Sequence, residues 1–229
     1  MHFLIFVLII CFFIFLFSLY FLANDDMVII RKDMPMEKIF NTAFLTVLVA
    51  LLFSRVFYVI FNPQNIFLNP LGFLLFPYFP GLSLLGGLLG GMLFLSLYSN
   101  NQRLPLGKTF DFFALSFLST LPVGFLGVFI LSGKSYFLKF IFAFITYSIT
   151  YFVFAKILLP LSFSGKIKNG SLSIIFVVCF SVISFFLLML SGFKNFNIFS
   201  LENLTLLILF ISSSVFLLKQ EVIGKRVKK

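Results

Sequence analysis

Phe3 to Ala23 reads FLIFVLIICFFIFLFSLYFLA, twenty-one residues without a charge. A helix needs about 20 predominantly apolar residues to cross the hydrocarbon core of a bilayer. This run decides the fold class, because comparable runs recur along the 229-residue chain. The whole sequence is 61% hydrophobic and 10% charged, with a mean hydropathy of +1.17, whereas a soluble domain carries about 25% charged residues. Lipid is therefore the solvent, and residues 1–229 are expected to form one integral membrane domain with no second, soluble one. The first run could be a signal peptide. However, no Lys or Arg precedes it, its apolar core exceeds the roughly 7–15 residues of such peptides, and no small-residue cleavage site follows. A retained helix is expected.

Working outward, Asn24, Asp25 and Asp26 end this helix. Further helices are expected at about Ile39–Phe61, Gly81–Ser99, Phe110–Ser132, Tyr136–Pro160, Ser171–Phe193 and Leu204–Leu218. The last is short, so its start is placed no later than Leu204. Leu71–Pro80 is apolar but holds Pro77 and Pro80, and is expected at the membrane interface.

Loop charges orient these helices. If the N-terminus lies outside, the inner segments hold twelve Lys and Arg residues and the outer loops two, a strong positive-inside asymmetry. The expected architecture is an all-α membrane protein, a bundle of seven transmembrane helices with the N-terminus outside and a basic cytoplasmic tail at 219–229. The net charge of +10 belongs to these loops and the tail, so nucleic acid is not an expected partner. Cys11 and Cys179 lie within apolar runs, without a CxxC partner or a nearby His, which supports neither a disulfide nor a metal site. The single histidine, His2, stands at the N-terminus, so no His-based general base is available inside the membrane.

A few residues are not explained by generic bilayer packing. Arg55 lies in an apolar helix about six residues, or about 9 Å, from its outer end. A guanidinium at a helix centre costs roughly 2.5–3.5 kcal/mol on insertion scales and less near the interface. Its planar fork suits phosphate, and Tyr58 is one turn further on the same face. Together they could hold a phospholipid headgroup; alternatively, Arg55 snorkels to the interface. Gly86/Gly90 and Gly87/Gly91 form two small-xxx-small pairs. These suit close helix packing or the close approach of a headgroup. Pro122, Gly124 and Gly127 are expected to kink helix four. With the N-terminus outside, all three features fall in the outer half of the membrane. Asp111 is expected to cap helix four or pair with Lys108, and Lys139 and Lys156 are expected to snorkel.

Ser54-Arg55-Val56-Phe57-Tyr58-Val59, Gly81-Leu82-Ser83-Leu84-Leu85-Gly86-Gly87-Leu88-Leu89-Gly90, the Arg103–Lys108 loop, Asp111 and Pro122-Val123-Gly124 resemble the bacterial prolipoprotein diacylglyceryl transferase family. The family patterns are G-R-x-x-Y-V, G-G-M-S-F-H-G-G-L-I-G, a basic loop, an Asp, and P-x-G-x-x-x-G-R-x-G-N. Ser200-Leu201-Glu202-Asn203 loosely resembles its S-x-G-Q. Seven helices with the N-terminus outside is also the family topology. The sequence departs from the family where its H-G-G histidine is replaced by Leu85, its G-R-x-G-N arginine and asparagine have no counterpart, and its later arginine and glutamate fall near Ser184 and Leu188.

The resemblance implies transfer of a diacylglyceryl group from phosphatidylglycerol to a lipobox cysteine thiol at the outer leaflet of the bacterial cytoplasmic membrane. Phosphatidylglycerol, the prolipoprotein signal peptide and membrane lipids would be the partners, and no cofactor is implied. Arg55, Tyr58, Ser83, Gly86 and Gly87 are expected to bind the phospholipid, and no residue is assigned to catalysis. The alternative is a non-catalytic relative that binds lipid or signal peptide. A transporter would want polar residues through both membrane halves, and the inner halves here are apolar. A glycerol-phosphate acyltransferase would want Gly-rich loops with basic partners, and these glycines lie in a helix.

Overall fold

The computed structural model describes residues 2–24, 35–63, 81–132, 137–191 and 200–223. Among the described residues every regular element is helical: α1 (His2–Asn24), α2 (Met36–Phe61), α3 (Leu84–Asn101), α4 (Leu106–Ser132), α5 (Phe137–Val153), α6 (Ser171–Ser191) and α7 (Leu201–Leu218). α5 continues through a π-helical turn, Phe154–Leu158, into Leu159–Phe163, and α7 continues through another, Lys219–Ile223. Six of these helices are long and apolar enough to cross a membrane. α3 is not among the six, since four glycines and the pair Asn100–Asn101 dilute it. The interfacial segment Leu71–Pro80, the loop cations Arg31, Lys32, Lys134 and Lys194, and the tail cations from Lys225 onward lie outside the described residues.

Several starts lie three or four residues from the expected ones; α2 begins at Met36, directly after Pro35, rather than at Ile39. α3 starts at Leu84 rather than Gly81, because Ser83 adopts an extended backbone and its Oγ accepts from the N–H of Gly86 at 3.2 Å; serine at this position satisfies a donor that the helix itself cannot. α4 starts at Leu106, a turn before the expected Phe110. α7 starts at Leu201, where the Ser200 hydroxyl accepts from the N–H of Asn203 at 3.3 Å and Glu202 complements the helix dipole.

α4 is the central helix, packed against α1, α5 and α6; α2 pairs with α3, and α7 packs chiefly on α6. Aromatic pairs fill the α4 contacts. Phe113 meets Phe15 of α1 edge-on at 5.6 Å, Phe117 meets Phe176 of α6 at 6.1 Å, and Phe125 stacks on Tyr147 of α5 at 5.3 Å. The outward faces are apolar too: Phe17 is 66% exposed and Ile208 67%, as lipid-facing side chains should be. α4 runs unbroken through Pro122. Gly124 faces the Cys11 sulfur, and Gly127 makes room for Val7, so these glycines seat α1.

Hydrophobic attraction between helices is absent in lipid, so close packing carries the association. The glycines of α3 supply it against α2, in two distinct ways. A Cβ on Gly86 would lie 2.4 Å from Cβ of Phe57, and one on Gly90 would lie 2.2 Å from Cβ of Phe53. On Gly87 and Gly91 the nearest atoms would be 3.5 Å away, an ordinary contact. Gly90→Ala is therefore expected to lower thermal stability in detergent by about 1–3 kcal/mol, the usual cost of overpacking, while Gly87→Ala leaves it within error. Equal melting shifts for the two variants would show that the α2–α3 contact is not set this way.

Candidate functional site

Arg55 is 4% exposed, on the α2 face that meets α3. Its Nη1 donates to the carbonyl of Gly81 at 2.8 Å, and its guanidinium carbon lies 5.8 Å from the Tyr58 ring centroid, within cation–π range. One residue upstream, the Ser54 carbonyl accepts from the N–H of Ser83 at 3.0 Å. The end of α2 and the start of α3 are thus tied by two hydrogen bonds, one from a buried cation. The Arg55 side chain turns toward the neighbouring helix start, where the Gly81 carbonyl and the Tyr58 ring offer it partners.

Of the residues expected to bind phospholipid, Arg55, Tyr58 and Ser83 come together at this junction. Gly86 and Gly87 lie one turn along α3, with their Cα faces covered by Phe57 and by Ala50 and Ser54. The junction collects a guanidinium, a phenol and a helix N-terminus, a set suited to an anion.

A second polar junction ties the ends of four helices. Asp111 was expected to cap its own helix or to pair with Lys108. Because α4 begins at Leu106, Asp111 lies beyond the first turn; the Lys108 charge acts on its carboxylate, which also accepts from the N–H groups of Gly170 at 2.7 Å and Ser173 at 2.8 Å. It caps α6 from another helix. Lys108, 4% exposed, reaches Ser162 Oγ at 3.5 Å and lies 5.3 Å from the Phe163 ring. From the end of α7, Glu221 Oε1 accepts from the N–H of Lys168 at 3.0 Å and from Ser171 Oγ at 2.6 Å. Gln220 Nε2 donates to the Asn169 carbonyl at 3.0 Å, and Lys168 Nζ to the Gln220 carbonyl. Residues Lys219–Ile223 form a π-helical turn that continues the last helix. Sequence reasoning missed Gln220 and Glu221: their partners are about 50 residues away, and no local pattern links them.

In the middle of the bundle, the Tyr147 hydroxyl and Ser184 Oγ are 3.3 Å apart, with Tyr147 only 1% exposed. Leu85 is buried as well. Lys156 sits exposed on the π-helical turn of α5.

The helices and these junctions define a multi-pass helical membrane protein with a buried cation between two helix ends. The family model for prolipoprotein diacylglyceryl transferase matches residues 4–218, nearly the whole chain, and the chain belongs to that family. Neither the curated proteins nor the solved structures include a match to it. Membership brings a diacylglyceryl-transferase-type function in lipoprotein biosynthesis, with lipid and lipoprotein substrates and a membrane setting.

Removing a carboxylate that satisfies two buried N–H groups leaves both unpaired, at about 1–3 kcal/mol for each. Asp111→Ala is expected to lower the melting temperature in detergent strongly, and Asp111→Asn, which keeps one acceptor oxygen, to lower it less. Similar melting for Asp111→Ala and the parent protein would contradict the capping role.

Proposed function

We propose that the chain spans the bacterial cytoplasmic membrane seven times, N-terminus outside, and transfers the diacylglyceryl group of phosphatidylglycerol to the cysteine thiol of a prolipoprotein signal peptide. The loop charges support the orientation. α3 counts as the seventh span because it runs back between α2 and α4, joined to α4 by a short turn. On this reading the end of α2 and the start of α3 lie toward the outer leaflet, where the phospholipid headgroup would be. Arg55, Tyr58 and Ser83 bind the headgroup, with Gly87 beside them, and Gly86, together with Gly90, sets the distance between the helices that carry them.

In the reaction, the cysteine sulfur forms a bond to the glyceryl carbon and the carbon–oxygen bond to phosphate breaks. The electron pair leaves with glycerol phosphate, and the thiol proton must be taken up by a base. Arg55 would stabilise the departing phosphate, because a donor aimed at developing charge is worth on the order of 10²–10³ in rate. The observation that carries the reading is a buried guanidinium inside the stretch that most resembles the family's motifs.

A second reading is a relative that binds phospholipid or signal peptide without turnover. It is favoured by the Tyr147–Ser184 pair and buried Leu85, which stand near or at positions where the family pattern has an arginine and a histidine. Purified protein in phosphatidylglycerol micelles with a lipobox peptide separates the two. The first reading expects the peptide to gain the mass of a diacylglyceryl group, with the rate falling at least about 10²-fold in Arg55→Ala. Binding without any mass gain supports the second reading, and phosphatidylglycerol binding unchanged in Arg55→Ala removes the headgroup role of this residue.

A further inference from the structure

The contact between Arg55 and Gly81 has a steric condition attached. A Cβ built on Gly81 would lie 2.1 Å from Cε1 and 2.2 Å from Cζ of Tyr58, far inside van der Waals contact. The Tyr58 ring thus lies directly on the bare Cα of Gly81, while the carbonyl of the same residue accepts from Arg55 Nη1. The ring is also the one that the guanidinium approaches at 5.8 Å. Three groups therefore share one seat, and a single backbone position fixes two of them. Gly81 belongs to no helix; it precedes the Ser83 cap of α3, so its absent side chain is not needed for packing within a helix. The backbone next to it is pinned independently, by the Ser83 N–H on the Ser54 carbonyl.

We infer that Gly81 is a positioning residue for the headgroup site: it admits the Tyr58 ring, and its carbonyl holds the Arg55 fork in the orientation that a phosphate meets. This rests on the headgroup reading of Arg55 given above. A guanidinium fixed before its ligand arrives loses less rotamer freedom on binding, and planar recognition of phosphate depends on the direction of the fork as well as on its charge. With any side chain at position 81, Tyr58 must leave the seat and the guanidinium loses one wall. Gly86 is also tightly packed, but it is met by Phe57 and does not touch the cation.

The test measures binding of a fluorescent phosphatidylglycerol to the full chain in detergent micelles, with thermal unfolding of each variant recorded in parallel. The variants are Arg55→Ala, Gly81→Ala, Tyr58→Ala and the double variant Gly81→Ala with Tyr58→Ala. Arg55→Ala and Gly81→Ala are each expected to weaken binding about tenfold or more, the scale of a lost charge-assisted hydrogen bond. Once Tyr58→Ala has removed the ring, Gly81→Ala has nothing to displace, so the double variant should bind within about twofold of Tyr58→Ala, the non-additivity of residues in contact. If Arg55→Ala weakens binding and Gly81→Ala does not, the positioning role is overturned while the headgroup reading stands. If Gly81→Ala costs the same factor with and without the Tyr58 ring, its effect does not pass through that ring and the inference is overturned. Unchanged binding in Arg55→Ala overturns both. Should Gly81→Ala alone fail to fold, the double variant must fold and bind as Tyr58→Ala does, and its failure overturns the inference.

Discussion

The start of a helix exposes N–H groups that its own backbone cannot satisfy, and beside lipid no water is at hand to take them. In this protein that constraint organises both ends of the bundle. At one end, Asp111 and Glu221 bring carboxylates from α4 and α7 to the loop and first turn of α6. At the other end, Ser83 caps α3 within the chain, and the backbone around it is tied to α2 through Ser54 and Arg55. Between these ends the helices meet through glycines and aromatic rings, contacts that lipid tails compete with on nearly equal terms.

The spans themselves were legible in the sequence. Apolar runs of sufficient length predict α1, α2 and α6 closely, and the end of α2 at Phe61 agrees with the expected one. Helix starts were less legible. The run Gly81-Leu82-Ser83 is apolar enough to read as helix, although Ser83 is a good cap and marks the true boundary. Asp111 was placed by a sound local rule, that acids favour the first turn of their own helix, and the rule was overridden because α4 starts earlier and α6 offers better-placed donors. Glu221 could not be found from the sequence at all. Near the start of a basic stretch it reads as one more topology residue, and only the fold brings it to Ser171 and Lys168. The arginine was conspicuous, yet its partner was not, since nothing in a pattern of letters ties Arg55 to the carbonyl of Gly81.

The candidate site is better furnished for holding an anion than for moving a proton. A guanidinium, a phenol and a capped helix start lie together at the α2–α3 junction, and Tyr147 and Ser184 occupy the middle of the bundle as a closed pair. The glycines divide their work. Gly86 and Gly90 have no spare room against Phe57 and Phe53, whereas Gly87 and Gly91 meet α2 at ordinary distance. The α2–α3 spacing is therefore dictated by two of the four, and with it the position of everything that the two helices carry.

The second junction also bears on how the molecule yields under load. It fastens the ends of α4, α5, α6 and α7 to one another, while α3, which runs back from the same side, carries its start to the far side. The junction thus holds α4 to α7 together at one end of the bundle, whereas α2 and α3 are tied to each other beside the arginine. Lateral pressure from the surrounding lipid would therefore move α2 and α3 as a pair, carrying the arginine with them.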